Sequence, residues 1–452
     1  MNSIFKVIVD QTLFVSCVFL LFGSIYLTFK TKFIQFRLIP LFFSRNSKRQ
    51  ATKKEEKGGH TISPSKALFT AMSTTLGIST IVGPVIAIQL GGPGALFGFL
   101  LTSFFGSAAT YVEVNLGVRY RTRSQDGKVL GGPMQYLKEI FSQKMAKGYA
   151  ICCLLLMIVW SAAQANQLAA VLNSPSLGTW RIDPIYSGIF LALIVLVTLR
   201  GGIRWIGNLS SKLVPVMFVL YIGSSFWIIG SNLSLLGSIF HEMVMSMWTP
   251  YPMASGVLVG GAISALRWGV FKGVQATEAG VGTQTIPHSL AETADPQKQG
   301  ILAMFSTFAA GGVSFLSGCV AMITRTWQDS SLPLGAGMVL ASYEQYFSFI
   351  GVTIVCVCAF LFGFGTILGN SFNGSQCYGY LTKQANPWYF LLGMALMIFL
   401  GAIGEVVVVW SYIDIVLASM AIPHMFALLW SIHKQPEFFM IDVKKEWKMR
   451  TE

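Results

Sequence analysis

This sequence predicts an all-α polytopic membrane protein of about 11 transmembrane helices, built as a 5+5 inverted repeat with one extra N-terminal helix. Three observations lead there. Of 452 residues 53% are apolar and only 11% charged, whereas soluble domains carry roughly 25% charged residues. The apolar residues fall in blocks of about twenty, the length that crosses a hydrocarbon core of ~30 Å. Two of these blocks are interrupted by Gly and Pro at corresponding places in the two halves of the chain, the sequence sign of inverted-repeat transporters. The composition excludes an extracellular disulfide scaffold, a coiled coil, a nucleic-acid-binding domain and a soluble enzyme. The seven cysteines lie in or at the edge of apolar runs, with neither disulfide nor zinc spacing.

In chain order, residues 1–30 hold the extra helix. The run from Thr12 to Phe29 lacks a small-residue cleavage site and is followed by further spans, so it reads as a retained helix and not a signal peptide. Residues 31–66 form a basic loop. The first five-helix repeat occupies 67–231, with spans at 67–90, 95–118, 149–172, 184–199 and 213–231. Residues 232–252 connect it to the second repeat, 253–432, with spans at 253–287, 299–324, 346–372, 386–404 and 406–432; 433–452 form a tail.

Lys and Arg fix the expected orientation. Ten lie between Lys30 and Lys66, seven between Arg119 and Lys147, three from Arg200 to Lys212 and five after His433, with Lys298 and Lys383 on the same side. Only Lys6, Arg181 and Arg325 fall on the other side, and Arg267 and Lys272 lie within a span. The positive-inside rule then places the N-terminus outside and the C-terminus in the cytoplasm of a plasma or inner membrane. An odd number of spans satisfies this. The net charge of +13 is thus a topology signal.

The two interrupted spans carry the chemistry. One contains Gly77-Ile78-Ser79-Thr80 and then Pro84; the other contains Gly280-Val281-Gly282-Thr283 and then Pro287, and in both the Pro follows the first Gly by seven residues. Breaking a helix in hydrocarbon leaves backbone groups unpartnered at several kcal/mol each unless something binds them. The N-terminal end of the half-helix beyond a break attracts a carboxylate, and the carbonyls before it attract a cation or ammonium group. Two breaks facing each other suit an α-amino acid with a monovalent cation. The Ile78 and Ser79 amides would face the carboxylate, with the hydroxyls of Ser79 and Thr80 nearby and freed carbonyls around Thr74 and Thr75.

Seven segments occur in order: Gly91-Gly92-Pro93-Gly94-Ala95, Gly131-Gly132-Pro133-Met134, Gln164-Ala165-Asn166, Lys212-Leu213-Val214-Pro215, Glu278-Ala279-Gly280-Val281-Gly282, Gln299-Gly300 and Met420-Ala421-Ile422-Pro423. Together they resemble the alanine or glycine:cation symporter (sodium:alanine symporter) family of the amino acid, polyamine and organocation superfamily, over about residues 60–430. The resemblance implies a leucine-transporter-type fold and sodium-coupled symport of alanine or glycine, L or D, by alternating access, with no cofactor beyond the coupling sodium ion. It makes Gln164 the substrate-facing residue of its segment and brings Gln275, Thr277, Gly280 and Gly282 of the second break to the substrate with Gly77, Ile78, Ser79 and Thr80 of the first. Thr366 is expected to complete a sodium site with the carbonyls of Ser73 and Leu76. Several positions depart from the family pattern. Ile78, Ser79 and Thr80 stand where it has Thr-Gly-Asn, Gln275-Ala276-Thr277 where it has Phe-Ser-Asn, and Ala310 and Leu417 replace an Asp and an Asn. A proton-coupled carrier or exchanger of the same fold, or a non-transporting amino-acid sensor, are the alternatives.

Charges at membrane depth are costly and face a cavity or a partner. Glu278, beside the second break, is expected to gate or couple, through capping, pairing with Lys272 or Arg267, or titration. Glu113 is expected to form an interfacial pair with Arg119, His288 to be solvated, and Asp414 to pair or line a cavity. Gly363-Phe364-Gly365 lacks a pore-helix context and reads as close packing, not a channel filter.

Overall fold

The computed structural model describes residues 3–37, 61–124, 127–249, 251–252, 258–259, 261–329, 331–332, 335–404 and 406–440. They form α1 (Ser3–Lys30), α2 (Pro64–Thr75), α3 (Ile78–Gly91), α4 (Ala95–Arg119), α5 (Pro133–Ile140), α6 (Gln143–Leu172), α7 (Pro184–Leu199), α8 (Gly202–Gly230) and α9 (Leu233–Met245). Then come α10 (Ala262–Thr277), α11 (Thr285–Ser289), α12 (Pro296–Thr324), α13 (Ala336–Leu381), α14 (Trp388–Ile403) and α15 (Val406–Lys434). Two short antiparallel hairpins pair Thr122–Arg123 with Val129–Leu130 and Tyr251–Pro252 with Leu258–Val259.

Local signals start several helices. Ser63-Pro64, Asp183-Pro184 and Asp295-Pro296 each set a capping oxygen before a proline at the first helical position, where the missing N–H is one the helix could not use. Asp295 Oδ1 accepts from the Gln297 and Lys298 amides, both at 3.1 Å. Inside α3, Pro84 cannot bond the carbonyl of Thr80. Ser314 on α12 does so instead, at 3.0 Å. A proline that weakens α3 thereby joins it to α12.

Among the described residues six helices are long and apolar enough to cross a membrane alone: α4, α6, α8, α12, α13 and the part of α15 from Ile415. The α2–α3 pair, bent by 41°, makes a seventh, and 14–30 of α1, α7, α9 and α14 are shorter apolar helices. The expected boundaries shift in four places, the first being the span drawn as 253–287, which is helical only from Ala262, after the strand Leu258–Val259. The span drawn at 213 begins at Gly202 as α8, because Pro215 is absorbed inside the helix. Residues 232–252, expected as a plain connector, contain the helix α9. The span drawn as 346–372 runs on to Leu381, and at its start Ser348 adopts φ 50°, ψ −136°, turning the chain between two helices.

The arrangement is the leucine-transporter-type fold. α4 packs on α10 and α12, and α3 on the same two helices, while α6 packs on α13 and α14 and α14 on α7. The interrupted α2–α3 touches both groups, α12 on one side and α13 on the other, α10 stays with α3, α4 and α12, α11 touches α4, α2 and α13, and α1 lies outside against α4 and α15. At the end of the bundle rich in Lys and Arg, the two interrupted helices are tied together. The Ile62 amide donates to the Leu290 carbonyl (3.1 Å), and the Glu292 amide to the Ile62 carbonyl (2.8 Å). Arg121 clamps the same loop by donating to the carbonyls of Ser289, Ala291 and Thr293 at 3.0, 2.6 and 2.5 Å. Burial draws the Arg121 guanidinium below its ordinary pKa, and three carbonyl acceptors offset that desolvation.

Candidate functional site

At the first break α2 closes its last turn with Leu76 N–H donating to Met72 O at 2.8 Å and stops. Two other helices then reach in. Thr366 on α13 donates its hydroxyl toward the carbonyls of Ser73 (3.0 Å) and Thr74 (3.2 Å). Gln164 on α6 accepts from the Ile78 amide, the first of α3, at 2.7 Å. Thr80 reaches back across the break and donates its hydroxyl to Thr75 O at 2.9 Å. Gly77 has an ordinary extended φ of −96°, so its need for glycine is one of space. A Cβ there would stand 2.9 Å from both Thr366 Oγ1 and Gln164 Nε2. One peptide is where three helices meet.

The second break is longer. α10 ends where Glu278 turns left-handed at φ 53°, a conformation costing about 1–2 kcal/mol in a residue with a side chain. Within the break the Thr283 hydroxyl donates to Glu278 Oε2, and Gln284 Nε2 donates to Thr277 O at 2.8 Å. The remaining freed groups are met from outside. His424 Nδ1 lies 2.7 Å from Gly280 O, Tyr149 OH donates to Val281 O at 2.9 Å, the Gly282 amide donates to Glu113 Oε2 at 3.1 Å, and Asn373 Nδ2 donates to Thr283 O at 3.4 Å.

Between the breaks lies a small polar pocket lined by Thr74, Ser79, Trp160, Ala163, Gln164, Gln275, Glu278 and Thr366. Its free space is that of about one water molecule. It takes walls from both interrupted helices and from α6 and α13. Of the residues singled out in the sequence, Ser79, Gln164, Gln275, Glu278 and Thr366 therefore come together. Gly77 and Ile78 stand just behind the wall, through their contacts with Gln164 and Thr366. Ser73 offers its carbonyl to Thr366, and Thr74, not Leu76, offers the second.

Other expected members lie elsewhere. The Thr277 hydroxyl donates to Gly273 O of its own helix at 2.8 Å, and that of Thr80 is used on Thr75. Gly280 and Gly282 are outside the pocket wall, and their backbone groups turn toward His424 and Glu113. Their glycine requirement is conformational, with φ +75° and +96°, the left-handed region that glycine alone enters freely. Glu278 is fully buried and tied to Thr283, while Lys272 donates to Gln275 Oε1 at 2.8 Å.

Two further expectations are corrected. Glu113 is not an interfacial partner of Arg119: it is 0% exposed and holds the second break, while Arg119 bonds Asn115 Oδ1 at 3.5 Å and stacks 3.9 Å from the Phe438 ring. His288 is not solvated but buried, 2.6 Å from Gln299 Nε2, which gives the Gln299-Gly300 segment its use. Trp160 and Ala163 went unnoticed; their positions one turn and one residue before Gln164 on α6 were the available signal. Asn166 points away from the pocket, donating to the carbonyls of Gly401 (2.9 Å) and Gly404 (2.7 Å) at the end of α14. The side chain of Asp414 lies outside the described residues.

Comparison with known proteins places this geometry in context. The family model for the sodium:alanine symporter family matches residues 1–440. The sodium/alanine symporter AgcS of Methanococcus maripaludis is 31% identical over 425 residues, 91% of this chain and 90% of that protein. Two solved structures share the fold at low identity. One is a Na+-coupled sialic acid symporter in a substrate-bound, outward-open state, with a TM-score of 0.54 at 15% identity, covering 96% of this chain and 82% of that one. The other is MhsT in complex with L-phenylalanine, with a TM-score of 0.58 at 12% identity, covering 84% and 91%. An enclosed polar pocket between two interrupted helices, in a chain matched almost end to end by that family model, has one reading: this chain is a transporter and not an enzyme, and it belongs to the sodium:alanine symporter family.

Proposed function

We propose that the chain carries a small neutral amino acid, alanine or glycine of either hand, into the cell with sodium, by alternating access around the pocket between the two breaks. The observation that carries this reading is the bond from the Ile78 amide to Gln164 Oε1. The positive end of α3 opens on the pocket and is held by a neutral amide oxygen, which a substrate carboxylate can replace. Gln275 and Glu278 offer acceptors to an ammonium group from the other break. The Trp160 ring on one side bounds the room for a side chain, which favours a hydrogen or a methyl group. The relative AgcS, named for sodium and alanine, supports the same class.

For sodium, the ligands are Thr366 Oγ1 with the carbonyls of Ser73 and Thr74, all hard oxygen donors. Ser79, Gln164, Gln275, Glu278 and Trp160 form the substrate site. Gly77, Ile78, Thr80, Thr277, Gly280 and Gly282 shape the two breaks around it. The repeats run over 67–231 and 253–432, and the basic end of the bundle faces the cytoplasm, with the N-terminus outside.

Uptake of radiolabelled alanine and glycine into proteoliposomes tests the reading. An inward sodium gradient should drive accumulation, and unlabelled large amino acids should compete poorly. Full accumulation in sodium-free buffer under a proton gradient alone would replace sodium as the coupling ion. Competition by a bulky amino acid as strong as that by alanine would remove the size restriction.

A further inference from the structure

The second break covers a buried acid and imidazole that the pocket does not use. Glu113 of α4, Tyr136 of α5 and His424 of α15 are each 0% exposed, and Tyr149 of α6 is 6% exposed. Three of the four hold consecutive residues of the break: His424 on Gly280, Tyr149 on Val281 and Glu113 on Gly282. The Tyr136 hydroxyl bonds His424 Nε2, and His424 Nδ1 stands 4.0 Å from Glu113 Oε2. This is a closed polar cluster.

Its hydrogen bonds constrain where protons sit. A carbonyl only accepts, so His424 Nδ1, at 2.7 Å from Gly280 O, carries a hydrogen. Glu113 Oε2 takes the Gly282 amide, but Oε1 is buried with no hydrogen-bond partner. An ionised Glu113 beside a neutral His424 would leave one uncompensated negative charge in the bundle, a costly arrangement. Among the described residues the only cationic group within 4.0 Å of that carboxylate is the imidazole itself, if protonated.

The surrounding elements supply no substitute. The other titratable groups are Cys153 of α6, Cys377 of α13, Glu278 of the break and His288 of α11; the first three are not cations, and the His288 imidazole bonds Gln299 at 2.6 Å and not Glu113. Apart from those of α10, the described charged residues of the helices packed on α4 lie toward their ends. Arg119 is against Phe438, Lys298 pairs with Asp295 at 3.5 Å, and Lys434 lies over Trp430. Arg267 lies over Trp268, and Lys272 donates to Gln275 on the pocket side of α10.

We propose that Glu113 and His424 share one exchangeable proton, and that this proton must be bound for the basic face of the second break to close, so that the transport cycle is linked to cytoplasmic pH. The proton is held as the carboxylic acid or the imidazolium. When that face opens, water reaches Glu113 Oε1 and the Gly282 amide, the carboxylate is hydrated, and the proton leaves to the cytoplasm. On closing, one proton returns from the same side, so that charge and protons balance over the cycle. This goes beyond the symport reading and does not depend on which amino acid is carried.

The test uses proteoliposomes with a fixed inward sodium gradient, a fixed external pH and an internal pH stepped from about 6 to about 9, where perturbed carboxyl and imidazole groups titrate. Wild-type uptake should fall with rising internal pH, approaching about tenfold per unit, the slope of one proton. Glu113→Gln keeps an acceptor for the Gly282 amide and is permanently neutral, so its uptake should lose that slope. Glu278→Gln, whatever its rate, should retain it. Thermal unfolding of the purified protein in detergent gives a readout free of substrate. The wild type should lose stability as pH rises over the same range, and Glu113→Gln should not. A wild-type slope preserved in Glu113→Gln, in either measurement, overturns the proposal, as does a flat wild-type profile. A slope lost only in Glu278→Gln places the proton at the pocket instead.

Discussion

The first amide of α3, that of Ile78, donates a 2.7 Å hydrogen bond to Oε1 of Gln164 on α6, 86 residues further along the chain. The positive end of a half-helix at membrane depth is thus satisfied by a side chain that carries no charge. On the proposed reading, a substrate carboxylate competes for that amide with a neutral acceptor, and the charge-assisted hydrogen bond is the stronger of the two.

Replacing that acceptor by a permanent anion should reverse the outcome. Gln164→Glu keeps the length of the side chain and sets a carboxylate on the α3 N-terminus, so alanine affinity should fall by about ten- to a hundredfold, or about 1.4–2.8 kcal/mol. Calorimetry in sodium buffer measures it. Gln164→Ala instead leaves the amide unpartnered at a cost of about 1–3 kcal/mol, and alanine should then raise its unfolding temperature by more than it raises that of the wild type. Unchanged affinity in Gln164→Glu would take the Ile78 amide out of the substrate site.

Thr366→Val is nearly isosteric and removes one oxygen next to the carbonyls of Ser73 and Thr74. The sodium concentration for half-maximal uptake should rise ten- to a hundredfold, corresponding to about 1–3 kcal/mol for the lost interaction, with alanine affinity at saturating sodium much less affected. An unaltered sodium dependence would leave Thr366 only its hydrogen bonds to α2.

Gly282→Ala meets two obstacles. Its φ is +96°, and a Cβ would stand 2.5 Å from Tyr149 OH and 2.9 Å from His424 Nε2. The backbone conformation alone should cost about 1–3 kcal/mol, and the variant should unfold at a lower temperature with or without substrate. A ligand-dependent defect with normal stability would return Gly282 to the substrate site.

Arg121→Ala removes the clamp on the loop that follows α11. A cysteine placed at Ser289, which is buried, should then react faster with a thiol reagent applied from the basic side, by about tenfold if the clamp contributes about 1.4 kcal/mol to closure. Equal labelling with and without Arg121 would leave closure to the Ile62 bridge.

Much of the architecture was legible because it depends on neighbours in sequence. The apolar composition that calls for membrane-length helices and the interruption at Gly77 act over a few residues, and each has its counterpart in the fold. The first break was the more readable of the two because Leu76 and Gly77 alone separate α2 from α3. What required the tertiary structure was the direction in which each freed group points. Gly280 and Gly282 read as ligand contacts because a broken helix must find partners, and nothing local says whether those partners are a ligand or other side chains. The answer came from Glu113, Tyr149 and His424, brought to one loop from three helices that lie far apart in the chain. The same reason explains why Glu113 read as an interfacial residue beside Arg119: spacing along one helix assigns a face, but only the packing of α4 against the second break decides that this face is the buried one.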